Sequence, residues 1–269
     1  MATFELEMLG GTTERRYRRA RPEVESFPWG TIDLTGVSEQ DRILARKAWT
    51  TAAYQEHRTG VGVTEALRLL MEAQAPIDLI AVGARFPLDE MVHVEMCARL
   101  AMEVGGGTEI FYDPQAVVLK ADPTLRPLMQ AAELMVRFFC VGESLSIPLL
   151  RGTWKAARHP LPKAVLGRIV KDEAAHGTFG YLFMDWAEPK LDRKDREILG
   201  RAADMAIDAV VQLWDDLRSR PKVEWEEGNA LAWMSTDAYL ELAAQSMNKN
   251  VLDPLRERDI PVSRFQYGV

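Results

Sequence analysis

The feature that most constrains this chain is a short polar motif that occurs twice, each time within a segment of helical periodicity. The motif, Asp-Glu-x-x-His, ends at His93 and again at His176. Residues three positions apart in an α-helix share one face, with Cβ atoms about 5–6 Å apart. Glu90 and His93 can therefore offer an oxygen and a nitrogen to the same ion, and so can Glu173 and His176. Because the chain has only 4 histidines, the repetition predicts two helices that each supply part of a metal site.

The first motif has a partner glutamate on the preceding helix. In an antiparallel helical hairpin, residues at the same height are about equally far from the turn. Glu56 and Glu90 are 34 positions apart, and their midpoint lies beside the turn indicated by Ala75 and Pro76. Glu65 and Glu72 are alternatives on the same helix, but they are only 25 and 18 positions before Glu90 and fit the turn poorly. We therefore expect Glu56 to face the motif.

The second motif has a partner of the same kind. Glu143 and Glu173 are 30 positions apart, and their midpoint falls within the turn indicated by residues 158–160. These carboxylates lie in otherwise apolar helical stripes, where an unpaired charge costs several kcal/mol. Four converging carboxylates are tolerable only if cations neutralise them. Two divalent ions and two neutral imidazoles would balance the charge, so the pattern predicts a two-metal site in the core of a helical bundle.

This order of residues resembles that of the di-iron and di-manganese carboxylate proteins of the ferritin-like superfamily. The local sequences around the motifs are also similar to those of a group of little-studied bacterial ferritin-like proteins. The likeness covers residues 40–188 and extends more weakly to about residue 260. The resemblance implies six metal ligands: Glu56, Glu90, His93, Glu143, Glu173 and His176. It implies that Glu56 and Glu143 each bind one ion, as does each histidine. Glu90 and Glu173 would bridge the two ions.

Two acids next to the motifs carry a further implication of the resemblance. Asp89 and Asp172 would each reach the histidine of the other motif and orient it, and exposed surface acids are the alternative. Arylamine N-oxygenases resemble this layout but carry an extra histidine one turn before the second motif. That position is Ile169 here, which disfavours N-oxygenation. Pro87 should kink the helix that carries the first motif.

The expected architecture is all-α: a ferritin-like four-helix bundle with one long crossover, an N-terminal arm and two additional C-terminal helices. We expect an extended arm over residues 1–37, the bundle with its dimetal site over 38–190, and a helical extension packed on the bundle over 191–269. Helices are expected at about residues 38–73, 77–104, 122–155, 163–188, 192–218 and 237–258. Residues 108–121 form the crossover, with some β-like character at 116–119.

Composition and charge narrow the expected partners and location. A net charge of -7 argues against nucleic acid, and the basic run at residues 15–21 is interpreted as part of a solvated arm rather than a phosphate- or lipid-binding patch. The N-terminal residues show neither the basic start nor the apolar stretch of a signal peptide, so we expect neither a signal peptide nor a membrane-spanning segment. Cys97 and Cys140 suit a reducing compartment and small buried positions. We therefore expect a cytoplasmic protein.

The expected function is that of a di-iron, O₂-activating oxidase or oxygenase acting on a small organic substrate, in specialised metabolism. The cofactor would be two iron ions, with Mn–Fe or Mn–Mn as alternatives, because the ligands alone do not discriminate between them. An electron donor and a homodimer are further expectations. One alternative is a non-catalytic or ferroxidase-type metal-handling protein. Another is an accessory bundle that binds a partner protein while its metal is idle.

Overall fold

The computed structural model describes residues 2–220, 233–263, 265 and 267, and almost all of its regular structure is helical. In chain order the helices are α1 (Gly11–Ala20), α2 (Glu39–Glu72), α3 (Ile77–Gly83), α4 (Phe86–Glu103), α5 (Pro127–Leu134), α6 (Ser144–Ala156), α7 (Pro160–Ala187), α8 (Arg193–Ser219), α9 (Thr236–Met247) and α10 (Asp253–Arg256). Two π-helical segments, Met135–Glu143 and Asn248–Leu252, join α5 to α6 and α9 to α10. Short 3-10 helices span Pro22–Ser26 and Glu188–Lys190, and strands β1 (Ala2–Thr3) and β2 (Phe111–Tyr112) pair antiparallel. The predicted all-α class is confirmed.

Several helices begin and end where side-chain capping predicts. Ser38 caps α2, because its hydroxyl accepts a hydrogen bond from the backbone N–H of Asp41. Asp192 and Asp195 form a reciprocal capping box at the start of α8. The stop expected at Pro221 lies outside the described residues, and α8 ends just before it at Ser219.

The prediction of an extended N-terminal arm is wrong for residues 11–20, because Gly11–Ala20 forms the helix α1. Glu14 lies in its first turn and pairs with Arg18 in its last turn, which complements the helix dipole. The solvated position expected for this basic run is also wrong for Arg21, whose buried guanidinium pairs with Glu95 on α4. Helix α1 escaped prediction because it buries no residue, and so shows no apolar periodicity.

The helices on either side of the crossover also differ from expectation. The second predicted helix is split into α3 and α4 at Ala84 and Arg85, next to the proline at the start of α4. The third begins at Pro127 rather than at Asp122, whose carboxylate instead accepts hydrogen bonds within a turn from the backbone and hydroxyl of Thr124. The β-like segment at 116–119 forms no strand in the described structure.

Packing arranges the long helices as two antiparallel hairpins side by side. Helix α2 packs on α4, and the chain of α5, π-helical segment and α6 packs on α7. The hairpins meet where α2 contacts α5 and where α4 contacts α7. Helix α8 packs on the first π-helical segment, and α9 packs on α6. The division of the chain into an arm, a bundle and a C-terminal extension stays a prediction.

Two glycines in α2 allow its neighbours to approach closely. Helix α2 is continuous through Gly60 and Gly62. A Cβ atom on Gly60 would lie 2.7 Å from Met91 Cε, and one on Gly62 would lie 2.7 Å from the Phe138 ring.

Among the described helices, none is both long and apolar enough to cross a lipid bilayer.

Candidate metal centre

Two overlapping groups of carboxylates and imidazoles lie inside the paired hairpins. Within each group, one ligand atom per residue can be chosen such that these atoms all lie within 4.8 Å of one another. The first group contains Glu56, Glu90, His93 and Glu173, and the second contains Glu143, Glu173 and His176. The structure thus brings together all six residues predicted as ligands, from α2, α4, the π-helical segment Met135–Glu143 and α7.

The two histidines direct Nδ1 toward the carboxylates. His93 Nδ1 lies 3.3 Å from Glu173 Oε1 and 3.6 Å from Glu56 Oε2. Glu90 Oε2 lies 3.8 Å from the same nitrogen. His176 Nδ1 lies 3.0 Å from both Glu90 Oε1 and Glu173 Oε2. Glu90 and Glu173 therefore each turn one oxygen toward each imidazole, the arrangement expected of carboxylates that bridge two ions.

Burial makes this group of side chains costly without a cation. Glu90, His93 and His176 are fully buried, and Glu173 is nearly so. In the described structure, both oxygens of Glu90 and the Nδ1 atoms of both histidines have no hydrogen-bond partner. Leaving a buried polar atom unsatisfied costs about 1–3 kcal/mol, and more when it is charged. The donor set of oxygens and imidazole nitrogens suits Fe or Mn, so these residues fit a pair of such ions.

The buried environment shifts the pKa values of Glu56, Glu143, Glu173 and His176. Burial raises the pKa of Glu56 to about 7. Burial and the nearby charge of Glu173 raise the pKa of Glu143 well above its usual range. Burial opposes ionisation of Glu173 too, but its contacts with the histidines outweigh that effect and lower its pKa to about 2. Burial would lower the pKa of His176, yet its interactions with Asp89 and Glu173 raise it to about 12. In the metal-free protein, therefore, protons occupy part of this site and a bound metal ion must displace them.

Each histidine has an acid behind it, on the helix that carries the other motif. His93 Nε2 lies 3.2 Å from Asp172 Oδ2, and His176 Nε2 lies 3.9 Å from Asp89 Oδ2. Both aspartates are buried, so the alternative of exposed surface acids is wrong. Because a histidine whose Nε2–H donates to an acid keeps the Nδ1 lone pair free, the Asp172 contact aims His93 Nδ1 at the site.

The alternative ligands on α2 lie elsewhere. Glu65 and Glu72 both pair with Arg68 along the helix surface, within one turn on either side of it. Ile169 is buried in the apolar core beside the site, where arylamine N-oxygenases carry a further histidine. Cys97 and Cys140 are buried and free, as expected of small core side chains.

The remaining two histidines serve local structure. His57 packs edge-on against Phe4 and Tyr112, with ring centroids 5.3 and 5.7 Å away. His159 Nδ1 accepts a hydrogen bond from the backbone N–H of Leu161 and so caps α7.

The π-helical segment that ends at Glu143 was not predicted. The backbone hydrogen bonds of a π-helix join residues five positions apart, one more than in an α-helix. Such segments occur frequently at functional sites. The Ser144 hydroxyl lies 3.0 Å from Phe139 O, five residues earlier, and 2.9 Å from Gly177 O on α7. Gly180 lies directly beneath Cys140, with no room for a Cβ atom. Such glycines were the one sequence signal for this close approach, because π-helices have no side-chain periodicity of their own.

An open groove of about 450 Å³ lies on the outer side of the two aspartates. Its lining combines apolar and charged side chains: Ala81, Val82, Arg85, Phe86, Asp89, Lys171, Asp172 and Ala175. The histidine rings separate the groove from the carboxylate group, because their Nε2 atoms face the aspartates and their Nδ1 atoms face inward. The groove therefore lies behind the imidazoles and not on the side of Glu56 and Glu143.

The described structure is that of an all-helical protein with a buried carboxylate–imidazole group that could hold metal. No protein-family model and no curated protein sequence matches this chain. An assignment of function therefore depends on the geometry of the site itself.

Proposed function

We propose that this chain is a ferritin-like dimetal protein, and specifically a di-iron oxidase or oxygenase that uses O₂ to act on a small organic substrate. The observation that carries the proposal is the reciprocal position of Glu90 and Glu173, each with one oxygen toward His93 and one toward His176. Two hairpins joined by a long connection support the ferritin-like assignment, because that topology brings ligands from four helices to one level.

In this proposal the chain holds the ions and keeps water away from them. Glu90 and Glu173 would be shared between the two ions, while Glu56 and His93 would hold one ion and Glu143 and His176 the other. A bound iron pair would supply the redox chemistry with O₂.

Aromatic side chains form an apolar wall at one end of the site. The Phe86 ring centroid lies 4.0 Å from that of His176, and Phe179 contacts both Phe86 and Phe139 edge-on. A dry wall of this kind strengthens the electrostatic interactions of the site and protects reactive species from water.

We propose a cytoplasmic location, and Mn–Fe and Mn–Mn pairs remain alternatives to iron because the donor atoms suit either metal.

Iron loading under anaerobic conditions tests the proposal. We expect about two Fe²⁺ per chain and a rapid change in the visible absorption spectrum on mixing with O₂. Glu173→Ala removes a bridging carboxylate and should abolish both results. Glu65→Ala, on the outer surface of α2, is the matched control and should preserve them. Unchanged iron binding and O₂ reactivity in Glu173→Ala would reject the site.

A metal-handling protein with ferroxidase turnover is the second candidate, because one ligand is reachable from solvent. Glu56 is 14% exposed, whereas the other five predicted ligands are buried. An ion could therefore enter or leave past Glu56. Repeated additions of Fe²⁺ and O₂ separate the two functions: a handling protein accumulates ferric mineral, whereas an oxygenase stops after its two ions are oxidised and awaits a reductant.

A further inference from the structure

We propose that Arg168 is a positioning residue for His93, so that the metal position with Glu56 and His93 is formed before metal binds. The position with Glu143 and His176 is held less firmly, and the two ions therefore bind with different affinity. This inference rests on the proposed function, since it concerns how the same site acquires its metal.

Arg168 is connected to His93 through a single carboxylate oxygen. Its Nε lies 2.8 Å from Asp172 Oδ2, one turn further along α7. The same oxygen lies 3.2 Å from His93 Nε2. Because one carboxylate oxygen makes both contacts, the ion pair with the guanidinium restricts where the imidazole can donate. The Arg168 side chain is only 12% exposed, so solvent screens this contact little.

The guanidinium is also held from its outer side. Glu23, in the 3-10 helix Pro22–Ser26, forms an ion pair with Arg168. That segment is anchored by Val24, which is fully buried and whose carbonyl accepts a hydrogen bond from the Trp29 indole at 2.7 Å. The N-terminal segment thereby fixes Arg168 against α7. This gives a continuous series of contacts from the segment to the imidazole of His93.

The corresponding contacts at the other histidine are weaker. Asp89 pairs at 3.1 Å with Arg85, whose side chain is 67% exposed at the groove. Arg168 also reaches Asp89, but only at 4.0 Å, compared with 2.8 Å to Asp172. Asp89 Oδ2 lies 3.9 Å from His176 Nε2, beyond hydrogen-bond distance. In the described structure that nitrogen has no hydrogen-bond partner. His176 therefore lacks the orienting hydrogen bond that His93 has.

Outer-shell partners of this kind typically change metal affinity about 10–100-fold when they are removed. We therefore expect the full-length wild-type protein, stripped of metal and titrated with Co²⁺, to bind two ions in two resolved steps. Visible absorption and calorimetry report both steps without any enzyme turnover. Arg168→Gln should weaken the tighter step at least about tenfold and the weaker step by a clearly smaller factor, because its contact with Asp89 is the longer one. Arg85→Gln is the matched control and should leave the tighter step unchanged.

Further variants separate positioning from a general loss of structure. Glu23→Gln removes only the outer anchor and should shift the tighter step in the same direction by a smaller factor. Arg168→Lys retains the charge, and should restore part of the affinity lost in Arg168→Gln. Thermal unfolding of the metal-free variants reports any structural defect, which by itself would weaken both steps together.

The outcomes distinguish this inference from the proposed function. Two Co²⁺ ions bound, with the tighter step weakened more than the weaker step in Arg168→Gln and unchanged in Arg85→Gln, would support the inference. Two ions bound with both steps shifted equally, or with neither step shifted, would overturn it and leave the proposed function standing. A wild-type protein that binds no Co²⁺, Fe²⁺ or Mn²⁺ would overturn both.

Discussion

Gly177 offers a sharp test of how α7 and the π-helical segment are held together beside the site. A Cβ atom at this position would overlap Ile147 Cδ1, while the next nearest atoms, Ile147 Cγ1 and Glu143 O, would lie 3.2 and 3.6 Å away. The overlap involves one methyl group, so Gly177→Ala must displace either that methyl or the helix. Forced overpacking of this kind typically costs about 1–3 kcal/mol.

Removal of the overlapping methyl group should reverse most of that cost. Ile147→Val deletes Cδ1 and, alone, should destabilise by about 0.5–1 kcal/mol, since Ile147 is only partly buried. In the double variant the new Cβ atom meets only Cγ1 at 3.2 Å. The double variant should therefore be more stable than Gly177→Ala alone, with a favourable coupling of about 1 kcal/mol or more.

Thermal unfolding of the wild type, both single variants and the double variant measures the coupling. For a chain of this size, 1 kcal/mol corresponds to a shift of about 2–4 °C in Tm. Because Gly177 follows His176 and lies next to the Glu143 carbonyl, Gly177→Ala should also weaken metal binding. Strictly additive effects of the two substitutions would refute the packing argument.

Three further predictions concern protons, metal and helix capping. The pKa of Glu56 is raised to about 7 and that of His176 to about 12. Because both pKa values are raised by folding, both groups stabilise the metal-free fold at low pH and lose that contribution as pH rises. The contribution of Glu56 is lost between about pH 4.5 and 7. Denaturation curves should therefore show the metal-free protein weakening from pH 5 to 8 while metal affinity increases, and the opposite trend would contradict these shifts. Chelation of bound metal should lower Tm by several degrees, whereas Glu90→Gln, which cannot bridge two ions as a carboxylate does, should remove that dependence on chelator. Asp192→Ala should destabilise by about 1 kcal/mol through loss of the α8 cap, and it should leave metal stoichiometry unchanged.

The main helices could be predicted because their signals are local. Ser38 and Asp192 carry capping side chains that act within one turn of the helix. Helix α7, by contrast, begins at Pro160, which was assigned to the preceding turn although proline is common at the first position of a helix. The glutamate and histidine positions could be placed at one level because the turn between two antiparallel helices determines which residues lie side by side.

What escaped prediction depends on contacts between distant parts of the chain. Arg168 could not be recognised as a partner of Asp172 and Glu23 together, since nothing local relates the N-terminal segment to α7. Helix α1 is mostly polar, with Tyr17 as its one large side chain packed on the core, and was mistaken for an extended segment. The π-helical segment packs closely on α7: the Ser144 hydroxyl bonds to Gly177 O, and Gly180 leaves room for Phe139 and Cys140. That fit is visible only once both elements are in place.

Anomalous X-ray diffraction from crystals grown with Fe²⁺ or Mn²⁺ tests the central claim most directly. The account predicts two anomalous difference peaks about 3.5–4 Å apart. One peak should lie next to His93 Nδ1 and the other next to His176 Nδ1, with Glu90 and Glu173 contacting both. Crystals with no peak among these four side chains, or with metal only at surface carboxylates, would contradict it.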